Sequence, residues 1–137
     1  MKISQKLEYA CRALVQLAKA YDGKTLTRLD ELAQREAVSA NFLVQILNDL
    51  RRGGLIESRR GASGGYSLSR SADSITLRQI VDAVEPSQLQ NTALAQGESG
   101  GAVKRAWEDI SEQLAQNLEK VTLESLSAQA SDPMFYI

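Results

Sequence analysis

The sequence of 137 residues contains no histidine and a single cysteine, Cys11. The absence of imidazole excludes Ser-His nucleophile pairs, histidine general bases and nearly all common zinc sites. One thiol also excludes an intrachain disulfide and any metal site that needs several cysteines from one chain. The carboxylates are scattered over positions predicted to face solvent, so we identify no catalytic residue and do not expect an enzyme.

Long apolar runs are also absent, because charged residues interrupt each hydrophobic stretch before the roughly 18 residues that a membrane span requires. The opening, MKISQKLEYA, has neither the apolar core nor the cleavage site of a secretory signal. We therefore expect a cytoplasmic chain with no membrane partner. A hydrophobic fraction of 43% is sufficient for one compact domain of this length.

The net charge of −1 conceals an asymmetry between the two halves of the chain. Residues 1–70 contain 12 Lys or Arg and 7 Asp or Glu, whereas residues 71–137 contain 4 and 10. The two halves therefore have net charges of +5 and −6. A basic amino-terminal half indicates a surface that binds a polyanion, joined to a segment of a different kind.

Two amphipathic helix patterns occupy the first part of the chain. Apolar residues at helical spacing predict a helix over residues 4–22, with Cys11 in its buried stripe as a small core residue. Thr27 and Asp30 have the spacing of a capping box, with Asp in place of the usual Glu. This spacing predicts that a short second helix begins at Thr27.

A third helix is predicted over residues 39–52, where Ser39 is a suitable N-cap and Gly53 follows the last turn. The predicted buried positions are Leu43, Ile46, Leu47 and Leu50. The opposite face presents Asn41, Val44, Gln45 and Asn48. Two short helices joined by a tight turn have the spacing of a helix-turn-helix, whose second helix can enter the major groove of DNA.

A β-hairpin with a glycine-rich tip is predicted next, since residues 55–60 and 66–69 alternate as strands. Arg59 and Arg60 lie at the tip, and arginines on a narrow ribbon are suited to a minor groove. Glycines can also cradle phosphates, and GASG matches the minimal loop of a KH domain, but both flanks here resemble strands. An ordinary hairpin with two solvated arginines is the other alternative. With the helix pair, the hairpin predicts a winged helix.

The remainder of the chain divides into a helix, a loop and a second helix. Thr76 and Gln79 resemble a capping box that opens a helix, and Pro86 ends it, so the winged-helix domain is predicted over residues 1–86. Residues 87–101 are rich in Ser, Gln, Asn and Gly and predict an exposed loop. A long helix is predicted from about 102 to 120.

This long helix has an apolar stripe that requires a partner. Its members are Val103, Trp107, Ile110, Leu114, Leu118 and Val121. The partner is the first helix of the same chain or, as the length and the acidic outer residues favour, a second copy. Residues 102–126 are therefore predicted to form a dimerisation helix and a short terminal helix, and residues 127–137 a tail. The sequence does not decide whether the final DPMFYI docks on the domain.

Taken together, these motifs resemble the Rrf2 family of bacterial winged-helix regulators. The resemblance covers residues 1 to about 126 and lies in MKIS, Tyr9, LDELAQRE, VSANFLVQILNDLRRGGLIESRRGASGGYSL, ITLRQIVDAVE, Trp107 and VTLESL. It implies a homodimeric transcription factor, usually a repressor. Paired recognition helices (39–52) and wings (58–68) would read a pseudo-palindromic operator in double-stranded DNA.

The resemblance also implies which residues contact DNA. The expected set is Ser4, Lys6, Tyr9, Ser39, Ala40, Asn41, Val44, Gln45, Asn48, Arg59, Arg60 and Gly61. Asn and Gln can each form two hydrogen bonds with adenine, and a valine can meet the methyl group of thymine. Many relatives have Glu at the position that Val44 occupies here, so the operator sequence that they bind cannot be assumed for this chain. Ala37 stands where relatives have Gly or Asn, and a left-handed alanine would cost ~1 kcal/mol.

Iron–sulfur members of the family hold their cluster with three cysteines in the loop before the long helix. Counted back from Trp107, the corresponding positions here fall near Leu89, Ala95 and Gly101, none of which can ligate iron. The chain therefore resembles the cluster-free branch, and we expect no cofactor. The signal would come from a protein or small-molecule effector. The alternative function is a protein-interaction module of the same fold that acts on a partner enzyme and binds DNA weakly.

Overall fold

A computed structural model describes residues 2–90 and 92–132 as six α-helices, two short 3-10 turns and one antiparallel pair of strands. The elements are α1 (Gln5–Lys19), α2 (Leu29–Arg35), α3 (Ala40–Arg52), β1 (Ile56–Arg59), β2 (Gly65–Leu68), α4 (Leu77–Val84), α5 (Gly100–Glu119) and α6 (Leu123–Ala130). The predicted class, mainly α with a hairpin wing and a long carboxy-terminal helix, is confirmed. Residues 133–137 of the predicted tail lie outside the described residues.

The first helix, α1, is capped by Ser4, whose Oγ accepts a hydrogen bond from the backbone N–H of Leu7 at 3.0 Å. Five residues form its buried stripe: Leu7, Ala10, Ala13, Leu14 and Leu17. The helix ends at Lys19 and not at residue 22, because Asp22 belongs to a turn. The Asp22 carboxylate accepts hydrogen bonds from the backbone N–H groups of Lys24 and Thr25.

The predicted capping box at Thr27 and Asp30 is wrong. Thr27 is buried, and its backbone pairs with that of Tyr66 in an isolated antiparallel bridge. Because Thr27 is extended and bound to the wing, α2 begins two residues later at Leu29. Arg28 occupies the N-cap position without a capping hydrogen bond from its side chain.

The third helix agrees with its prediction at both ends and in its buried face. Ser39 caps it, since its Oγ accepts a hydrogen bond from Phe42 N–H at 3.1 Å, and Gly53 follows the last turn. All four residues predicted to be buried are buried: Leu43, Ile46, Leu47 and Leu50. Ala37, in the corner between α2 and α3, has φ +53° and is the left-handed alanine that the sequence suggested.

The wing is formed by β1 and β2, which pair from Ile56 with Leu68 to Arg59 with Gly65. After it, α4 begins with the predicted capping box, in which Thr76 and Gln79 each bind the backbone N–H of the other. The helix ends at Val84, just before Pro86. The predicted hairpin, the capping box and the end of the helix before Pro86 are confirmed.

The carboxy-terminal helices pack back onto the domain. Leu77 N–H donates to the carbonyl oxygen of Val121 at 2.9 Å, and Leu123 N–H donates to that of Ile75 at 2.8 Å. Leu123 is fully buried in the main core, where α6 packs against α1. Among the described residues, no helix is both long enough and apolar enough to span a bilayer.

Candidate nucleic-acid interface

The outer face of α3 presents polar side chains to solvent. Asn41 and Gln45 are exposed, and Val44 and Asn48 are partly exposed. Within the described residues, the side-chain amides of Asn41, Gln45 and Asn48 have no hydrogen-bond partner. Each amide offers both donors and an acceptor, which is the combination that a base edge requires. The buried leucines on the opposite side fix this face toward solvent.

The wing tip carries two exposed arginines, Arg59 and Arg60. In the part of the chain that the structure describes, neither forms an ion pair. Gly64 closes the tip so tightly that a Cβ atom there would overlap the carbonyl group of Arg59. The narrow turn therefore places the backbone of Arg59 and Arg60 at the end of the ribbon.

An open groove of about 690 Å³ separates α3 from the wing. Four arginines contribute to its lining: Arg28, Arg51, Arg59 and Arg60. Asp30 is the single carboxylate among the described residues that line it, and Asn48 lies on its α3 side. The groove thus joins Asn48 of the amide face to the cationic wing, and its positive charge would attract a phosphate backbone.

Arg28 and Arg51 were missing from the predicted set. Arg51 follows Asn48 by three positions on α3, so helical periodicity alone could have identified it. The Arg28 side chain reaches the wing, where Nη1 donates a hydrogen bond to the carbonyl oxygen of Ala62 at 2.7 Å. No local pattern predicts that contact, because it joins residues 34 positions apart.

Two of the predicted amino-terminal contacts already have partners within the protein. Ser4 Oγ caps α1 and donates a hydrogen bond to Glu85 Oε1 at 2.8 Å. The half-buried ring of Tyr9 packs edge-on against Phe42 of α3, with ring centroids 5.9 Å apart. Both residues therefore anchor α1 to the rest of the domain, and Tyr9 supports the start of α3.

Lys6 forms an ion pair with Asp49 of α3, with Nζ and Oδ2 2.5 Å apart. Arg52 binds the other carboxylate oxygen of the same residue. The hydrogen bond from Lys6, reinforced by that from Arg52, lowers the pKa of Asp49 despite the opposing effect of partial burial. Asp49 is therefore ionised at neutral pH and lies between two cations.

The predicted dimerisation stripe divides into two parts. Val103, Trp107 and Ile110 in the first half of α5 are exposed. The second part turns toward the chain's own body: Leu114 is half-buried, Leu118 packs against the main core, and Val121 pairs with Leu77 through its backbone. The exposed apolar surface is thus confined to the amino-terminal half of α5.

Comparisons with known proteins agree with this architecture. The sequence profile of the Rrf2 family, described as "Iron-dependent Transcriptional regulator", matches residues 3–129. The transcriptional regulator IscR of Cereibacter sphaeroides is 40% identical over 120 residues, which cover 81% of this chain and 77% of that protein. CymR of Bacillus subtilis is 34% identical over 141 residues and is covered, like this chain, along its full length.

Solved structures show the same fold. The structure of CymR, the global cysteine regulator of B. subtilis, superposes with a TM-score of 0.80 at 33% identity, covering 94% of this chain and 98% of that one. The IscR of T. potens gives a TM-score of 0.75 at 27% identity, with 100% of this chain and 97% of that one covered.

The residues of this chain do not fit an iron–sulfur cluster. Cys11 is half-buried on α1 and packs against the core. Leu89, Ala95 and Gly101, which the family resemblance places near the cluster-ligand positions, have no ligating side chain. Within residues 2–90 and 92–132, no three His, Cys, Asp or Glu side chains are grouped to bind a metal ion.

Proposed function

The chain belongs to the Rrf2 family of transcriptional regulators, and from that premise we propose that this DNA-binding regulator is a homodimeric repressor that reads a pseudo-palindromic operator. In this proposal, α3 enters the major groove and the wing enters the adjacent minor groove. A protein or small-molecule effector changes its affinity for DNA. The observation that carries the proposal is the groove in which Asn48, from the amide face of α3, meets four arginines.

The residues of the groove and of the adjoining face of α3 have distinct roles in this function. Gln45 and Asn48 supply amides for adenine edges, and Val44 supplies an apolar contact for a thymine methyl group. Arg60 on the wing supplies a cation for the minor groove, where the negative potential is strongest when the groove is narrow. Arg51 and Arg28 supply phosphate contacts, which orient the protein without reading sequence.

The exposed half of the α5 stripe supports a dimer. Val103, Trp107 and Ile110 form an apolar surface that a second copy would cover through the same face. A two-fold dimer presents two copies of α3 to the same side of DNA. Its operator would then contain two inverted half-sites, separated by about one helical turn or a multiple of it.

The proposal is tested by selecting a binding site from random DNA with the wild-type protein and measuring the affinities of variants for it. Gln45→Ala and Arg60→Ala should each lower the affinity for the selected site by about tenfold or more. Gln129→Ala on α6 and Arg78→Ala on α4 remove the same side chains away from the groove and serve as matched controls. Sedimentation of each variant establishes whether the oligomeric state has changed.

If Gln45→Ala and Arg60→Ala both bind as the wild type does, the assignment of the groove is wrong. If the wild-type protein selects no sequence, the protein-interaction alternative replaces the proposal. A selected site without inverted symmetry would contradict the dimeric reading of the operator.

A further inference from the structure

We propose that Asp49 is a specificity-determining residue, which restrains Lys6 and Arg52 and so limits binding to non-specific DNA. The inference rests on the proposed function, because all three residues share the DNA-facing side of the domain. Asp49 would touch no base. It would act through the position and the net charge of the two cations that it holds.

The geometry makes Asp49 a bridge between two elements. One carboxylate oxygen pairs with Lys6 of α1 at 2.5 Å, and the other binds Arg52, one turn later on α3. The Asp49 side chain is 16% exposed, whereas Lys6 is 35% exposed and Arg52 is 73% exposed. The carboxylate is thus the least exposed of the three charged groups, and each cation keeps N–H donors that Asp49 does not engage.

These three charged residues, called the Asp49 cluster below, lie next to two of the predicted base readers. Lys6, Asp49 and Arg52 line one surface groove together with Gln45, Asn48 and Arg51. A DNA backbone that passes beside α3 would therefore meet the held cations and not a freely moving lysine. Since Lys6 has three ammonium donors and Asp49 engages one, Lys6 can contact a phosphate while it stays bound.

The restraint of Lys6 and Arg52 by Asp49 has different effects on the non-specific DNA complex and on the operator complex. Non-specific binding depends almost entirely on charge, and Lys6, Asp49 and Arg52 together carry +1 where the two cations alone would carry +2. A restrained lysine also reaches a phosphate in one position of the DNA and not in every register. In the complex with the operator, by contrast, Lys6 is already ordered before DNA binds. The entropic cost of ordering this long side chain therefore does not reduce the affinity.

The decisive variant is Asp49→Asn, which keeps the shape and one acceptor for Lys6 but removes the charge. It should raise the affinity for scrambled DNA about threefold to tenfold, and raise the affinity for the selected operator by less. The ratio of the two affinities should fall. The slope of log affinity against log salt concentration for scrambled DNA should become steeper by about 1.

The matched control is Glu31→Gln on α2, which removes the same charge from the same half of the chain. Glu31 also pairs with an arginine, Arg35, at 2.7 Å, and it does not line the groove of the Asp49 cluster. Lys6→Met, alone and combined with Asp49→Asn, tests whether Asp49 changes the affinity ratio through Lys6. In the Lys6→Met background, Asp49→Asn should change the affinity ratio much less.

The outcomes separate this inference from the function on which it rests. If Asp49→Asn raises both affinities equally, or no more than Glu31→Gln does, Asp49 contributes net charge alone and the inference is wrong. A higher affinity ratio would also overturn it. If the wild-type protein selects no operator at all, the proposed function fails first and this inference fails with it.

Discussion

Thr27 and Tyr66 are joined by two backbone hydrogen bonds, each with an N···O distance of 2.8 Å. The pair attaches the second strand of the wing to the chain two residues before the helix-turn-helix begins at Leu29. Gly65 makes this approach possible, because a Cβ atom there would lie 2.6 Å from the carbonyl oxygen of Thr27. These main-chain contacts hold the wing against the segment before α2, and the hydrogen bond from Arg28 to Ala62 adds a contact at the tip.

Replacing Gly65 with alanine should lower the free energy of unfolding by about 1 to 3 kcal/mol. The residue has φ +153°, and the added methyl group would press against Thr27. Urea unfolding followed by circular dichroism measures the change. Gly101→Ala is the control, since that helical position has open space around it and alanine is the better helix former. Equal effects at the two positions would show that the close approach of Gly65 to Thr27 does not require glycine.

Ala37→Gly should raise the free energy of unfolding by about 0.5 to 1 kcal/mol. Alanine is strained at φ +53°, whereas glycine adopts this conformation without steric conflict, although it gains more entropy on unfolding. Ala40→Gly, in the first turn of α3, should have the opposite sign because its backbone is helical. A destabilised Ala37→Gly protein in the same urea titration would show that the corner is not strained.

Cys11 should react slowly with thiol reagents in the native protein. Burial, and to a smaller extent the negative charge of Glu8, raises the pKa of the thiol to about 11. At pH 8 its alkylation should be about a hundredfold slower than in the urea-unfolded chain, where the thiolate is more abundant. Comparable rates in the two states would contradict the raised pKa.

The same shift predicts a dependence of stability on pH. The native state retains the thiol proton of Cys11 more strongly than the unfolded chain, whose thiol has a pKa near 9.0. The free energy of unfolding should therefore fall as the pH rises from about 9 to about 11. Below that range the thiol is protonated in both states, so it gives stability no pH dependence. A Cys11→Ala protein should lose this component in a urea titration repeated across the same pH values.

Trp107 should report dimer formation directly. It is the one tryptophan of the chain and is 55% exposed in a single copy, so its emission should move to longer wavelength as dilution separates a dimer. Trp107→Ala should weaken the dimer about tenfold or more in sedimentation equilibrium, because large aromatic side chains dominate interfaces. Tyr21→Ala removes an exposed aromatic residue away from α5 and should leave the association unchanged. An emission maximum independent of concentration, with a monomer throughout, would exclude this surface as the interface.

Local spacing was sufficient for much of the fold. The buried face of α3 and the caps at Ser39 and Thr76 follow from residues three and four positions apart, which are neighbours on any helix. The failed capping box at Thr27 shows the limit of the same reasoning. Its sequence suits a cap, but a backbone partner far along the chain holds it in an extended conformation.

The sequence by itself determined the helix-turn-helix, the hairpin with its terminal arginines and the absence of cluster ligands. Each of these depends on residue identity or on periodicity along one element. Tertiary structure decided that Arg28 reaches the wing, that Asp49 holds Lys6, and that the α5 stripe is exposed at Trp107 and covered at Leu118. These relationships join elements that are distant in sequence, so they depend on how the helices pack and not on the pattern within any one of them.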